Sequence, residues 1–289
     1  MDKIFKTGDF IFRLCCPAEV VPPDNFMKFE YKTQEPEYTY IIEASDSIPT
    51  PTGKIVAQRP DLVVFQNSTE EGEYSESRLI GARGSSEFYA CYRETAQKCA
   101  EVTLDRKKLT ELHFDTVFTS LLALERHLVK KDNMILHCAY VEYQGEAILF
   151  SAPSETGKTT QANLWEKYRG SRTVNGDRSL LGKINGRWTA QGWPVCGTSE
   201  VCNNEATPIK AVVVLSQAKE NKAERLTPGH AFPLLYSQIM VNKWNTADHI
   251  HIMDLIEEFL ASVPVFHLGC TISEDAVACL EDVLRKSGE

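Results

Sequence analysis

The feature of this sequence that most constrains its fold is a glycine-lysine-threonine loop that joins an apolar strand to a helix. Apolar residues 147–150 precede Ser-Ala-Pro-Ser-Glu-Thr-Gly-Lys-Thr-Thr at positions 151–160, and a helical pattern then continues to about residue 168. The motif GxxxxGK[ST] is matched at its last three positions and has alanine in place of its first glycine (Ala152, Gly157, Lys158, Thr159). A strand before the loop and a helix after it are the structural context that this motif requires.

Such a loop binds anions because successive backbone N–H groups at a helix start point toward one site, and the helix dipole adds to their positive potential. In this motif the lysine reaches the β- and γ-phosphates of a nucleotide, and the following hydroxyl ligates Mg²⁺. We therefore predict a nucleotide-binding loop made of Ala152, Pro153, Ser154, Glu155, Thr156, Gly157, Lys158, Thr159 and Thr160.

A plainer interpretation of the same residues is an ordinary helix start that is capped by Thr156 or Thr159. Two residues weigh against phosphate binding by this loop. Ala152 adopts a positive φ less freely than glycine does, and the carboxylate of Glu155 repels a triphosphate unless it points outward.

A second polar motif, Asn175-Gly176-Asp177-Arg178, lies between two strand-like segments further along the chain. An acid at a strand end beside a phosphate loop is where Mg²⁺ or a nucleophilic hydroxyl must be held, and Arg178 can neutralise the charge of a transferring phosphate. His137 lies in the strand before the phosphate loop, across a predicted hairpin from it. Asn-Gly-Asp also suits a simple turn, however, and an isolated strand histidine is usually a core residue with satisfied hydrogen bonds.

Composition and charge exclude several classes of protein. The chain has 289 residues, of which 43% are hydrophobic and 25% are charged, which is typical of a globular protein. Its 31 Lys and Arg against 40 Asp and Glu give a net charge of −9, and this argues against general nucleic-acid binding. Because no run of about 18 apolar residues and no signal-peptide pattern is found, we expect a cytoplasmic protein that does not bind a membrane.

The cysteines and the paired histidines do not predict a metal site. Nine cysteines occur without a CxxC pair, so we expect reduced and mostly buried thiols. The adjacent Cys15 and Cys16 have no companion histidine spacing. The strand-like His249-Ile250-His251 favours a local surface or packing role over metal ligation.

The pattern changes near residue 110, so we predict two domains, 1–110 and 111–289. The first carries short aromatic and β-branched segments separated by turns, which predict an antiparallel β-rich domain. Its predicted strands cover residues 10–14, 26–31, 38–43, 62–65, 88–92 and 100–104.

The second predicted domain begins with an amphipathic helix over residues 115–131. Strands 134–141 and 146–150 form a hairpin around Gln144-Gly145, and Asn185-Gly186 predicts another hairpin. Residues 211–215 read as a strand buried on both faces. The remaining predicted elements are helices at about 159–168, 252–262 and 273–286 and strands at 172–174, 179–181 and 265–268.

In their order these segments resemble the catalytic domain of HPr kinase/phosphorylase, the kinase of the histidine-containing phosphocarrier protein. The core of that domain is similar to the core of ATP-dependent phosphoenolpyruvate carboxykinase. The resemblance covers about residues 115–285 and rests on Leu136-His137-Cys138-Ala139, the phosphate loop and the Asn175–Arg178 motif. Residues 192–198 and 207–215 are similar to a bacterial subgroup of HPr-kinase-like proteins.

The resemblance implies an α+β or mixed α/β fold, with a P-loop on a mainly β core and flanking helices rather than on a doubly wound sheet. It also implies that ATP and Mg²⁺ are bound, with Lys158 on the β- and γ-phosphates and with Thr159 and Asp177 on the metal. Asp177 is then the metal-side acid or the base that receives the acceptor's proton, and His137 orients or charge-balances it. The family usually shows two adjacent acids where this chain has Gly176-Asp177, so one carboxylate does both jobs or His137 takes part of the proton transfer.

Two function classes follow from these residues. The first is a Mg-ATP-dependent kinase that transfers the γ-phosphoryl group to a hydroxyl of a peptide, a protein serine or a small molecule, with Lys158, Thr159, Asp177 and Arg178 supplying position and charge. The alternative is a non-catalytic nucleotide- or phosphate-binding module whose β domain docks a partner protein. A structural relic that binds nothing is a third interpretation. Hexamers occur in the family that this chain resembles, so a homo-oligomer is also among the expectations.

Overall fold

The computed structural model describes residues 1–68, 74–82, 87–95 and 98–286, which form two compact units, Met1–His127 and Leu128–Glu289. The division falls later in the chain than residue 110, where the sequence changes character. In chain order the first unit contains β1 (Asp2–Thr7), β2 (Phe10–Cys15), α1 (Asp24–Met27), β3 (Tyr38–Ser45), β4 (Lys54–Arg59), β5 (Leu62–Ser68), β6 (Tyr74–Gly81), β7 (Phe88–Thr95), β8 (Cys99–Asp105), a 3-10 turn (Arg106–Glu111), α2 (Asp115–Ser120) and the start of α3 (Leu124–Val129).

The first unit is built on one eight-stranded sheet with the order β1-β2-β3-β8-β7-β6-β5-β4. Five of the six predicted strands are confirmed, but the expectation of an antiparallel sheet is wrong because β3 runs parallel to both β2 and β8. The chain reaches β3 and β8 through long connections, and pairings over such separations are not encoded in the local alternation from which strands are predicted.

The sixth predicted strand, residues 26–31, is also wrong. The chain forms the short helix α1 there, directly after Pro23. Phe26 and Phe29 lie three residues apart and are each 1% exposed. This spacing places both rings on one side of a helical turn, whereas a strand would point them to opposite faces.

The single amphipathic helix expected over residues 115–131 is instead two short helices, α2 and α3, that are separated by a break at Ala123, where φ is 47°. Residues 121–124 are all at most 1% exposed. Four consecutive buried side chains do not fit on one stripe of a continuous helix, so the break allows each of them to reach the core.

A charged cluster is buried within the first unit. Arg126 is 5% exposed and donates to Glu94 and to Glu76, the latter at 3.3 Å. Arg78, also 5% exposed, donates to Glu76 at 2.5 Å and to Glu125 at 2.6 Å. Each buried arginine is therefore balanced by two carboxylates.

The second unit contains the elements that carry the predicted site. These are β9 (Met134–Tyr143), β10 (Glu146–Ser151), α4 (Lys158–Arg169), β11 (Arg172–Asn175), β12 (Arg178–Ile184), β13 (Arg187–Gln191), a 3-10 turn (Gly197–Ser199), β14 (Ala206–Gln217), β15 (Lys222–Arg225), α5 (Pro228–Tyr236), α6 (Thr246–Ser262), β16 (Val265–Cys270) and α7 (Glu274–Lys286). The predicted hairpins at Gln144-Gly145 and Asn185-Gly186 are confirmed, and both turns have positive φ at each central residue.

The strands of this unit form a mixed sheet with the order β10-β9-β12-β13-β14-β16-β15, in which β14 also pairs with β10 and β11 pairs with β9. β10, β14 and β16 are parallel neighbours, so their carboxyl ends share one edge. The coarse expectation of a mixed α/β fold is therefore confirmed.

Helices cover both faces of the parallel strands. Along β14, Ala211, Val213 and Leu215 pack in one core with residues of α4 and α7, and Val212 and Val214 pack in a second core with residues of α5 and α6. The prediction that residues 211–215 are buried on both faces is confirmed. The result is a sheet between two helical layers.

The interpretation of His249-Ile250-His251 as strand-like is wrong, because these residues lie in α6. Asn245 caps the helix by accepting from Ala247 N at 3.1 Å, and the buried Ile252, Leu255, Ile256 and Phe259 give it a helical stripe. His249 contacts the hydroxyl of Tyr236 and His251 contacts Asp132, so the two rings do not share a ligand.

All nine cysteines lie in the described ranges and none forms a disulfide, and five of the thiols are buried, as expected. Within the described ranges, no helix combines the length and the apolar character needed to cross a bilayer.

Candidate functional site

The predicted phosphate loop connects the carboxyl end of β10 to α4, whose first residue is Lys158. Gly157 precedes it with φ 114°, and no side chain caps the helix. The first N–H bonded in the helix manner is that of Gln161, which donates to Gly157 O at 2.9 Å. Among the described residues, no acceptor is found for the N–H groups of Lys158, Thr159 and Thr160. The helix start is therefore open to an anion rather than capped by Thr156 or Thr159.

The structure accommodates both Ala152 and Glu155 in the loop. Ala152 is 1% exposed and has no positive φ, so its methyl group packs in the core beside α4 without strain. The positive φ that the loop needs falls on Glu155, at 66°, and on Gly157. Glu155 is exposed, so its carboxylate is solvated.

Lys158 is buried under the loop that it follows. It is 8% exposed, and its Nζ donates to Ala152 O at 2.9 Å and to Pro153 O at 3.2 Å. An ammonium group has three protons, so one remains for another acceptor. Burial lowers the pKa of Lys158 and the charge of Asp177 opposes that shift. A buried cation of this kind gains electrostatic stabilisation when an anion binds beside it.

Strand pairing brings His137 and Asp177 to the base of the same loop. Ser151, the last residue of β10, pairs with Cys138 and donates to His137 O at 3.0 Å. Cys138 N in turn donates to Asp177 O at 3.0 Å. The Nε2 atom of His137 lies 3.6 Å from Oδ1 of Asp177. Three sequence-predicted residues, Lys158, His137 and Asp177, are thus near neighbours.

Asp177 is held by its own motif. The fully buried Asn175 accepts through Oδ1 from the backbone N–H groups of Asp177 and Arg178, each at 2.9 Å. Its amide donates to Trp193 O at 2.8 Å and to Val195 O at 3.1 Å. Arg178 Nε lies 3.1 Å from Asp177 Oδ2. The turn expected at this motif therefore exists, and it also orients the acid.

The hydrogen bonds of Gln238 indicate which nitrogen of His137 carries the proton. Ser237 Oγ donates to Leu234 O at 2.7 Å, so it accepts from Gln238 Nε2 at 3.1 Å. The other end of the Gln238 amide, Oε1, then faces His137 Nδ1 at 3.2 Å, and we assign Oε1 as the acceptor and Nδ1 as the donor of this contact. The neutral ring therefore presents its Nε2 lone pair toward Asp177.

The Nε2 atom of His137 and the Oδ1 atom of Asp177 are consequently two hydrogen-bond acceptors that face one gap. Burial is the main cause that lowers the pKa of His137, with the charge of Lys158 second, while Asp177 raises it. One hydroxyl placed near the two atoms can donate its single proton to either His137 Nε2 or Asp177 Oδ1.

The position of the expected second acid is closed by Ser199. A Cβ atom built on Gly176 would lie 2.1 Å from Ser199 Oγ and 2.2 Å from Ser199 Cβ. Gly197 lies against the other side of the motif, where a Cβ would meet Asp177 Oδ1 at 3.0 Å. The 3-10 turn Gly197–Ser199 therefore packs on Gly176-Asp177 and leaves space for one carboxylate.

The metal-binding roles given to Thr159 and Asp177 remain predictions. Thr159 is exposed on the first turn of α4, and Asp177 is partly exposed. Among the residues that the structure describes, no cluster of three His, Cys, Asp or Glu side chains is arranged to hold a metal. Nucleotide-bound Mg²⁺ takes most of its ligands from phosphates and water, with only one or two from the protein. A hydroxyl and one carboxylate fit that requirement.

The sequence did not predict the roles of two residues near the site. Gln238 contacts and orients His137, and Ser199 fills the space beside Gly176. Gln238 is 101 residues from His137 along the chain, and neither residue belongs to a recognisable motif. The signal that could have been used is the glycine at 176, since a glycine before an acid at a strand end suggests close approach by another segment.

The fold and the site together define a mixed α/β protein with an open, lysine-containing loop at a helix start. The chain belongs to the family whose model is described as "SynChlorMet cassette protein ScmC", which matches residues 102–285. No curated protein matches the sequence.

A solved structure, described as the Hpr(Ser) kinase/phosphatase from Coxiella burnetii, is similar over 53% of this chain and 89% of that chain. The two are 10% identical in sequence, and the TM-score is 0.32. A TM-score of this size does not establish a shared fold.

Proposed function

We propose that the protein binds a Mg²⁺-nucleoside triphosphate, ATP in the simplest case, at residues 152–160 and transfers the γ-phosphoryl group to a hydroxyl. The acceptor is a peptide, a protein or a small molecule. The observation that carries this proposal is the combination of an uncapped start of α4, the buried Lys158 and the two facing acceptor atoms of His137 and Asp177.

The loop has the properties that a polyphosphate needs. The free N–H groups at the start of α4 and the helix dipole attract phosphate oxygens. Lys158 supplies a cation whose burial is already enforced by the fold, so little side-chain entropy is lost when phosphate binds. In this proposal Thr159 and Asp177 would hold Mg²⁺, which would neutralise charge on the β- and γ-phosphates.

The pair of acceptor atoms has the properties that a hydroxyl needs. An acceptor O–H near His137 Nε2 and Asp177 Oδ1 is oriented by donating its proton to one of them. In the transfer, the acceptor oxygen forms a bond to the γ-phosphorus, the bond to the β–γ bridging oxygen breaks, and ADP leaves. The hydroxyl proton passes to His137 Nε2 or to Asp177, and positioning supplies most of the catalysis.

One observation favours a second function, a binding module without turnover. Ser199 occupies the position of a second acid, and Arg178 already pairs with Asp177 at 3.1 Å. In that case the loop binds nucleotide or phosphate, and the first unit docks a partner protein.

The nucleotide site is tested by calorimetry with Mg·ATP and Mg·ADP. We expect saturable binding by the wild type and a loss of roughly 100-fold in affinity for Lys158→Met, since a charge-assisted contact to phosphate is removed. The matched control is Lys167→Met, an exposed lysine near the other end of α4, which should bind like the wild type. If the wild type does not bind, or if both variants bind equally well, the phosphate-loop assignment is wrong.

Transfer is tested with Asp177→Asn, which keeps the shape of the side chain. ADP formation from ATP is followed with water, glycerol and a serine peptide as acceptors. We expect at least roughly 100-fold slower ADP formation, with Mg·ATP affinity changed by no more than about threefold. Unchanged turnover in the variant contradicts the catalytic role. Tight binding by the wild type without any ADP formation favours the binding module.

A further inference from the structure

The loop between β16 and α7 carries the most exposed large hydrophobic side chain in the described part of the chain. Ile272 is 79% exposed, whereas its neighbours Thr271 and Ser273 are partly buried. A single exposed isoleucine is ordinary on a protein surface. Ile272 differs from an ordinary exposed isoleucine in two respects: hydrogen bonds hold its loop in place, and that loop lies close to the phosphate loop.

The loop is held in place on both sides of Ile272. Asn221 Oδ1 accepts from Thr271 N at 2.8 Å and from Thr271 Oγ1 at 3.2 Å. The hydroxyls of Thr271 and Ser273 lie 2.8 Å apart, and Ser273 Oγ accepts from Ala276 N at the start of α7. The turn that carries the exposed Ile272 is therefore held by hydrogen bonds on both sides. Because this backbone is already ordered, a ligand that packs against Ile272 would lose little conformational entropy in the loop.

The loop is also tied to the helix that begins at the phosphate loop. Gln161, 2% exposed and three residues after Lys158, donates to Cys270 Sγ at 3.2 Å and to Thr271 O at 3.5 Å. Three residues of α-helix advance by about 4.5 Å. The Thr271–Ser273 loop thus lies within about one helical turn of the phosphate loop along α4.

The sheet gives the same location independently. β10, β14 and β16 are parallel neighbours, so the phosphate loop after β10 and the Thr271–Ser273 loop after β16 lie at the same edge. This is the edge at which ligands bind in open α/β sheets. In addition, Gln161 Oε1 is buried without a hydrogen-bond partner among the described residues. The contact between α4 and the loop therefore contains an acceptor that can take one more hydrogen bond.

We propose that the Thr271–Ser273 loop recognises the base of the bound nucleotide, with Ile272 packing against the face of a purine whose phosphates occupy residues 152–160. This inference rests on the proposed nucleotide site and adds the element that distinguishes a nucleoside triphosphate from inorganic polyphosphate. A purine is the favoured base because its two rings offer the largest flat apolar surface to one side chain.

The test compares Mg·ATP, Mg·CTP and Mg·tripolyphosphate by calorimetry in Ile272→Ser and in a matched control, Ile250→Ser, which changes another exposed isoleucine. For Ile272→Ser we expect about tenfold weaker ATP binding, because partial burial of one isoleucine is lost, and unchanged tripolyphosphate binding. We also expect the wild type to prefer ATP to CTP. The control should match the wild type for all three ligands.

A second variant, Ile272→Phe, should bind ATP more tightly than Ile272→Ser because it restores an apolar surface. Equal losses for ATP and tripolyphosphate in Ile272→Ser, or no loss for either, overturn the base-recognition role while the phosphate loop stands. If the wild type binds neither ligand, the proposed nucleotide site itself has failed, and this result is distinct from the others.

Discussion

Ala152 shows at the scale of one residue that a departure from a motif can be built into a fold. We expect Ala152→Gly, which restores the motif, to lower the free energy of unfolding by about 1–2 kcal/mol, since a buried methyl group is lost and glycine adds unfolded-state entropy. Urea denaturation measures this cost. Calorimetry should show Mg·ATP affinity unchanged, because φ at Ala152 is not positive. A tenfold gain in affinity would show instead that the methyl group obstructs phosphate.

His137 links stability to pH. Burial, then the charge of Lys158, holds its pKa below the ordinary value of 6.5. Between the lowered pKa and 6.5 the unfolded chain binds more protons than the folded chain does, so this residue makes stability fall as pH drops through that window. We expect His137→Gln to flatten the dependence of unfolding free energy on pH from about 7 downward. Urea titrations of both proteins across this range measure it, and parallel curves would contradict the shift.

The sequence identifies the candidate site residues one at a time, but it does not predict how they are oriented. Lys158 and Asp177 follow from local motifs, and strand pairing does bring them and His137 together. The tautomer of His137 depends on Gln238 and Ser237, which reach it from the end of α5. Such contacts join distant segments through tertiary packing, and no short-range pattern in the sequence records them.

At the scale of elements, a glycine that ends one helix and a glycine in the first turn of another have different backbone conformations. Gly170 ends α4 with φ 66°, while Gly229 lies in the first turn of α5 without a positive φ, and a Cβ at either position meets no atom within 4 Å. We expect Gly170→Ala to cost about 1 kcal/mol of unfolding free energy, because only backbone strain is added. Gly229→Ala should be neutral or stabilising by up to about 1 kcal/mol. Thermal or urea unfolding of the two variants checks the contrast, which equal effects would refute.

Elements with a local physical cause were predicted well. The Asn185-Gly186 hairpin follows from turn chemistry, and the helices predicted at about 159–168 and 273–286 are confirmed as α4 and α7. The failures have tertiary causes. The break at Ala123 allows consecutive residues to be buried, and the parallel pairing of β3 depends on segments that are far apart in the chain.

At the scale of the whole molecule, the buried cluster of paired arginines and glutamates lies in the first unit, and all four tryptophans lie in the second. We expect Arg126→Ala to cost about 3–5 kcal/mol, because Glu94 and Glu76 lose a buried partner. Arg106→Ala, which removes the exposed pair with Glu19, should have a much smaller effect, because solvent screens an exposed ion pair.

Two spectroscopic signals distinguish the unfolding of the first unit from that of the second. Far-ultraviolet circular dichroism reports on both units, whereas tryptophan fluorescence reports on the second. The Arg126→Ala change should therefore shift the dichroism transition more than the fluorescence transition. Equal shifts would show that the two units unfold as one.

The contact between Gly176 and Ser199 also has an evolutionary consequence. Because a side chain at 176 and a hydroxymethyl group at 199 cannot occupy the same space, the two positions are expected to change together among relatives of this chain. Lineages with an acid at the first position should carry glycine, or a shortened segment, at the second. If position 176 gained an acid while Ser199 remained, the two side chains would clash and the protein would be poorly packed. Evolution from a one-acid site to a two-acid site should therefore begin with the loss of the serine.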